Sequence, residues 1–176
     1  MLFRSTHLVC AEEAVQDLAD LFRANLSEKR SSITLKEELE VARIYQRIEQ
    51  LRLGERLHVI WDVTELPMRA QVPGLLMQPL LENAIYHGIE PLPAGGVVTV
   101  SGGLDDDIIT LTVRNPLPAA GAEAHSGNRI ALDNIRERME LIYPGRSSVE
   151  ASRVGDEYLV RLRFPYVGDE TRSSSL

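Results

Sequence analysis

Four polar side chains interrupt an otherwise greasy stretch, Leu75-Leu76-Met77-Gln78-Pro79-Leu80-Leu81-Glu82-Asn83-Ala84-Ile85-Tyr86-His87-Gly88. Gln78, Glu82, Asn83 and His87 are its chemistry-bearing residues, and the apolar spacing predicts a helix from about Gly74 to His87, closed by Gly88. On that helix Asn83 and His87 share a face, and Glu82 stands about 100° round from Asn83. An amide and a carboxylate set in apolar sequence need partners, because burying either bare costs on the order of 1–3 kcal/mol. Magnesium carrying nucleotide phosphates would supply them: it takes oxygen ligands and keeps waters and substrate phosphates, so one protein amide oxygen can suffice. Asn83 is then the candidate metal ligand, and Glu82 the candidate water-orienting group or general base. The same residues also suit a plainer role, capping and solvating the outer face of a core helix.

The flanking elements must hold this helix. Ala14, Leu18, Leu21, Phe22 and Leu26 recur at helical steps, with Glu12, Glu13, Gln16, Asp17 and Asp20 as their polar partners. After the break at Ser27–Ser32, Thr34-Leu35-Lys36-Glu37 forms a capping box. Leu35, Leu39, Ala42, Ile44, Ile48 and Leu51 continue a second helix that Gly54 stops. Two such helices make an antiparallel hairpin whose apolar stripe must pack on the rest of the chain or on a second copy. From Leu57 to Val63 the period becomes two, a half-buried strand, and Pro67 and Pro73 punctuate a linker. Val97–Val100 and Ile109–Val113 are strands about a turn that includes Gly102-Gly103 and Asp105-Asp106-Asp107. The Pro-, Ala- and Gly-rich run from Asn115 to Gly127 is a loop. Ile130, Leu132, Ile135, Met139 and Ile142 mark a helix stopped by Pro144-Gly145, and a last hairpin turns at Gly155-Asp156. This order predicts an α+β fold, a mostly antiparallel sheet covered on one face by helices.

Composition narrows the function. The 176 residues carry 44% hydrophobic and 26% charged side chains, a globular mix, and one cysteine, Cys10, which cannot form an internal disulfide. A formal charge of −7 disfavours binding that depends on neutralising nucleic-acid phosphates. No apolar run approaches the roughly 20 residues of a membrane span, no signal peptide opens the chain, and a soluble, cytoplasmic piece is expected. No glycine-rich phosphate loop of the P-loop kind occurs. Asp105–Asp107 lack a matching glutamate for calcium, and neither His58 nor His125 has a partner at zinc-ligand spacing.

The segment Gln78-Pro79-Leu80-Leu81-Glu82-Asn83-Ala84-Ile85-Tyr86-His87-Gly88 resembles the N box of the histidine-kinase ATP-binding domain, particularly in the LytS/AlgZ branch of sensor kinases. Ala14–Arg23, Leu35–Leu39 and Ile48–Leu57 are similar to the helical region of that branch, and Ala131–Met139 to its later glycine-box helix. The resemblance runs in the expected order along nearly the whole chain, closest to the AlgZ subgroup.

The resemblance implies a Bergerat-type ATP-binding sandwich over residues 56–168, preceded in 1–55 by part of a dimerisation hairpin and followed by a flexible tail at 169–176. It implies ATP and Mg2+ as cofactors, with Asn83 on magnesium, Glu82 as the catalytic base or water-orienting group and His87 near the phosphates. Tyr86 stands where the family often has a lysine. Asn115 occupies the place of the adenine-binding aspartate, within Val113-Arg114-Asn115-Pro116-Leu117-Pro118, and can accept from the adenine amino group. Gly127, Ala131 and Leu132 match the later glycine box; Arg129 replaces one of its small residues and can pair with phosphate. Pro116–Ser126 would be the nucleotide lid. The branch's phosphoacceptor segment has no counterpart here, and His7 is expected to be an ordinary helix residue. By the same resemblance, the parent protein is an inner-membrane kinase, a homodimer through its N-terminal helices, that phosphorylates a LytTR-type response regulator. The alternative, which the eroded glycine boxes suggest, is a degenerate pseudokinase scaffold that binds a response regulator with little or no ATP turnover. An anti-sigma-factor kinase of the same superfamily would lack the N-terminal hairpin.

Overall fold

The computed structural model describes residues 13, 15–21, 23, 32–118 and 127–167, the side chains of 127–129 excepted. His7, Cys10, His125, the 119–126 part of the expected lid and the 169–176 tail lie outside the described residues. Residues 15–21 are helical, and Asp17 there receives two hydrogen bonds from Arg47, Nε at 2.8 Å and Nη2 at 2.5 Å.

Strand β1 (Ile33–Thr34) leads directly into helix α1 (Leu35–Leu53). The capping box forms as its residue types require: Thr34 Oγ1 accepts from the Glu37 amide, and the Glu37 carboxylate accepts from the Thr34 amide. Gly54, at φ 57°, ends the helix, its N–H donating to the Gln50 carbonyl. Leu35, Leu39 and Ala42 are buried in the same core as the sheet, so this part of the stripe is covered by the rest of the chain. Leu51, expected on that stripe, is 57% exposed. It lies two residues before buried Leu53, about 200° round the helix, and therefore on the opposite side.

The main sheet contains β2 (Leu57–Glu65), β4 (Gly96–Asp105), β5 (Ile108–Pro116), β7 (Glu157–Pro165) and β6 (Ser148–Val154), in that spatial order. Its pairings are antiparallel except β2 with β4, which run parallel because helix α2 (Met77–Ala84) crosses between them. A short strand, β3 (Gln71–Val72), pairs with β1 inside the expected Pro67–Pro73 linker, where Ala70 and Val72 join the core. The helices, with α3 (Gly127–Ile142), cover the face that carries Val98, Val100, Ile109, Leu111, Val113, Leu162 and Phe164. Each such side chain taken out of water contributes roughly 1.5–3 kcal/mol.

The turn between β4 and β5 is confined to Asp106-Asp107, with Asp106 at φ 51°. Gly102 and Gly103 belong to the strand instead: a Cβ on Gly102 would lie 2.6 Å from the Thr110 carbonyl oxygen, so glycine there admits a close neighbour and makes no turn. On α3, Leu132, Ile135 and Met139 are buried, whereas Ile130 is 63% exposed for the same 200° reason as Leu51.

Candidate functional site

The helix that carries the candidate residues differs at both ends from the span expected. It starts at Met77, after Leu75 takes a left-handed φ of 57°, rare for a branched side chain. Beyond Ala84 it continues as a π-helical turn, Ile85–Ile89, closed by the Glu90 amide donating to the Ile85 carbonyl at 3.0 Å. Gly88 thus lies inside the turn and does not stop it. Its role is contact: a Cβ at Gly88 would sit 2.3 Å from Asn115 Nδ2 and 2.8 Å from its Cγ. Only glycine lets β5 bring Asn115 against the residue that follows His87.

The structure thereby gathers Glu82, Asn83, His87 and Asn115 around the end of α2. Glu82 is exposed, and His87 is half-buried with its ring edge-on to Tyr86, centroids 4.9 Å apart. Asn83 is only 9% exposed, and no hydrogen bond to its amide is found among the described residues. Gln78, one turn before Glu82, has a buried Oε1 that is also without a partner among them. Asn115 is almost fully buried, and its Nδ2 donates to the Pro116 carbonyl at 2.8 Å. Ala131 is half-buried on α3, whereas Leu132 is a core residue. Gly127 opens α3, and the side chain of Arg129 lies outside those described.

Sequence reasoning missed the residues that hold α2 in place. The helix has no polar residue at its own N-cap, Leu76. Glu38 of α1 supplies the cap from across the core, accepting from the amides of Leu75 (2.5 Å), Leu76 (2.8 Å) and Met77 (2.8 Å). A carboxylate at this end also complements the helix dipole. Burial pushes the Glu38 carboxyl above its ordinary range, an effect offset in part by the three amides and by Arg138. Arg138 of α3 adds a hydrogen bond to the Gly74 carbonyl at 2.8 Å. Half-buried Tyr45 is raised as well, by burial first and then by the carboxylates of Glu49 and Glu82. At the far end Arg52 pairs with Glu90, and Arg56 Nη2 donates to the carbonyls of Glu90 (2.9 Å) and Leu92 (3.0 Å). A signal was present: Glu38 lies three residues after Leu35 and four before Ala42, within the apolar stripe.

Chemically, an amide oxygen that makes no hydrogen bond to the described residues is a donor type that a hard cation accepts. No group of three or more His, Cys, Asp or Glu placed to hold a metal occurs among the described residues. A divalent ion would therefore come with ligands of its own, as magnesium does on nucleotide phosphates. No described helix is long and apolar enough to cross a membrane.

The sequence model of the histidine kinase family matches residues 3–57. The chain is 34% identical over 173 residues to the sensor histidine kinase YpdA of Escherichia coli, covering 92% of this chain and 30% of that protein. It is 27% identical over 159 residues to the sensor protein LytS of Staphylococcus haemolyticus, covering 82% and 27%. The chain thus spans about a third of the length of these relatives. Among solved structures, the catalytic domain of histidine kinase ThkA superposes with a TM-score of 0.57 at 11% identity, over 77% of this chain and 96% of that one. The histidine kinase domain of a blue-light activated kinase from Erythrobacter litoralis gives 0.53 at 19% identity, over 89% and 75%. A mixed sheet backed by α1, α2 and α3 is the fold of those catalytic domains, and with the sequence likeness to LytS and YpdA it places this chain in the sensor histidine kinase family.

Proposed function

We propose that this chain binds Mg–ATP beside α2 and serves as the catalytic part of a kinase that passes the γ-phosphate to a histidine. The observation that carries the reading is Asn83, a residue only 9% exposed whose amide finds no hydrogen bond among the described residues. In this reading Asn83 holds magnesium through its side-chain oxygen, exposed Glu82 orients or deprotonates the attacking group, and His87 approaches the phosphates. Asn115 has its Nδ2 committed to Pro116, which leaves its side-chain oxygen for the adenine amino group. Gly127 offers a backbone amide at the start of α3 toward phosphate oxygens and Arg129 would add a guanidinium, whereas the amides of Ala131 and Leu132, past the first turn, are spent inside the helix. Magnesium supplies neutralisation of the phosphate charge; the chain supplies position.

Residues 1–55 would contribute to a dimerisation hairpin, α1 also packing into the core of the ATP-binding domain at 56–168. The phosphoacceptor histidine would lie outside this chain, on a homodimeric protein anchored in the inner membrane, whose cytoplasmic domain this is. A LytTR-type response regulator would then take the phosphate on an aspartate.

Isothermal calorimetry of the 176-residue chain with ATP and magnesium tests the reading. Saturable binding should weaken by at least about tenfold in Asn83→Ala, while the circular dichroism spectrum is kept. No heat and no thermal shift at millimolar ATP would overturn it in favour of a regulator-binding scaffold.

A further inference from the structure

The side-chain contacts that fix the ends of α2 come from outside it, and most come from one element. Glu38, Tyr45 and Arg52 recur every seven residues on α1, a spacing that falls about 20° short of two helical turns, so the three lie along one side. Glu38 meets the amides of Leu75, Leu76 and Met77, and Arg52 meets Glu90. Glu38 to Arg52 and Leu76 to Glu90 are each fourteen residues, so α1 and α2 with its π-helical turn run side by side in the same direction. Between these ends the Tyr45 hydroxyl is raised by burial first, then by the Glu49 and Glu82 carboxylates.

A carboxylate meets the amide end of α2; at the far end Arg56 donates to the Glu90 and Leu92 carbonyls, and Arg52 pairs with the Glu90 carboxylate. Leu75, held at φ 57°, is a strained residue whose N–H is taken by Glu38. Such strain persists only where the surroundings over-determine it. On its other side α1 is tied to residues 15–21 through Arg47 and Asp17.

We propose that α1 sets the axial position of α2, with Glu38 and Arg52 as positioning residues, so that a shift of α1 relayed through Asp17–Arg47 changes nucleotide affinity at Asn83. This regulation rests on the reading that α2 carries the nucleotide site. Because binding coupling is reciprocal, nucleotide at α2 must in turn protect α1.

Hydrogen exchange and calorimetry on the 176-residue chain test it, with Glu38→Gln, Arg52→Gln and, as a control on the exposed Lys36–Glu40 pair, Lys36→Gln. Glu38→Gln should speed exchange at Leu75–Met77, and both positioning variants should weaken Mg–ATP by about five- to tenfold. Mg–ATP should slow exchange across α1 in the parent chain and in Lys36→Gln, and lose that effect in both positioning variants. A purely structural cap would not carry this last signal. Unchanged affinity in both variants, or a parent chain whose α1 ignores bound nucleotide, overturns the proposal. If Glu38→Gln fails to fold, Arg52→Gln at the exposed end carries the same measurements, read at Ile89–Glu90. If the parent chain takes up no Mg–ATP, the nucleotide reading falls by itself. Exchange at Leu75–Met77 (or at Ile89–Glu90 for Arg52→Gln) then decides whether α1 positions α2: acceleration upholds that part, and no change overturns it.

Discussion

Asn83 and Glu38 show two ways a polar side chain lives in a core. Asn83 makes no hydrogen bond among the described residues, and the proposed magnesium contact would satisfy its amide. Glu38 accepts three backbone N–H groups, yet loss of hydration still outweighs them and raises its carboxyl pKa above the ordinary 4.5. For a carboxyl raised in this way, the stabilising contribution is complete below the unfolded value and is lost as pH climbs through the folded one. The charge therefore serves geometry at a cost in stability, as buried charges often do. Urea unfolding of the parent chain and of Glu38→Gln across pH should show the parent-minus-variant stability falling upward from pH 4.5, then flattening. A difference that grew over the same window would contradict the sign of this balance.

Between elements, the informative contact is Gly88 against Asn115. The π-helical turn and β5 approach so closely that a methyl group at residue 88 would overlap the Asn115 amide at 2.3 Å. Gly88→Ala should therefore cost about 1–3 kcal/mol in urea unfolding and displace Asn115. A variant of unchanged stability would mean that β5 yields readily. The elements themselves were largely legible. The Thr34–Glu37 capping box, the alternation along β2 and the apolar steps of α3 are local signals, and local physics decides them. The misplacements have a common cause. Leu51 and Ile130 carry apolar side chains at spacings that skip to the far face, and Gly102 occurs in a glycine pair that suggests a turn. Only the neighbours across the sheet reveal that Gly102 admits Thr110 and Leu66.

Across the whole molecule, one core unites α1, α2, α3 and a single face of the sheet. Phe164 of β7 is fully buried there and stacks on Tyr143, centroids 5.6 Å apart. Phe164→Ala should lose about 3–5 kcal/mol, a large part of the 5–15 kcal/mol typical of a domain, and lower the thermal midpoint markedly. A shift of only a degree or two would show that the core is not shared.

The sequence by itself determined the α+β class, the chemical character of the Gln78–Gly88 segment and the family likeness. Each depends on residue types at short, fixed spacings. Tertiary structure alone decided that α2 has no cap of its own and borrows one from Glu38, that its last turn widens into a π-helix against Asn115, and that Arg52 and Arg56 close its far end. These contacts join residues some 35 to 40 positions apart on neighbouring elements, or 27 apart for Gly88 and Asn115, and no periodicity along a single strand or helix encodes such a meeting.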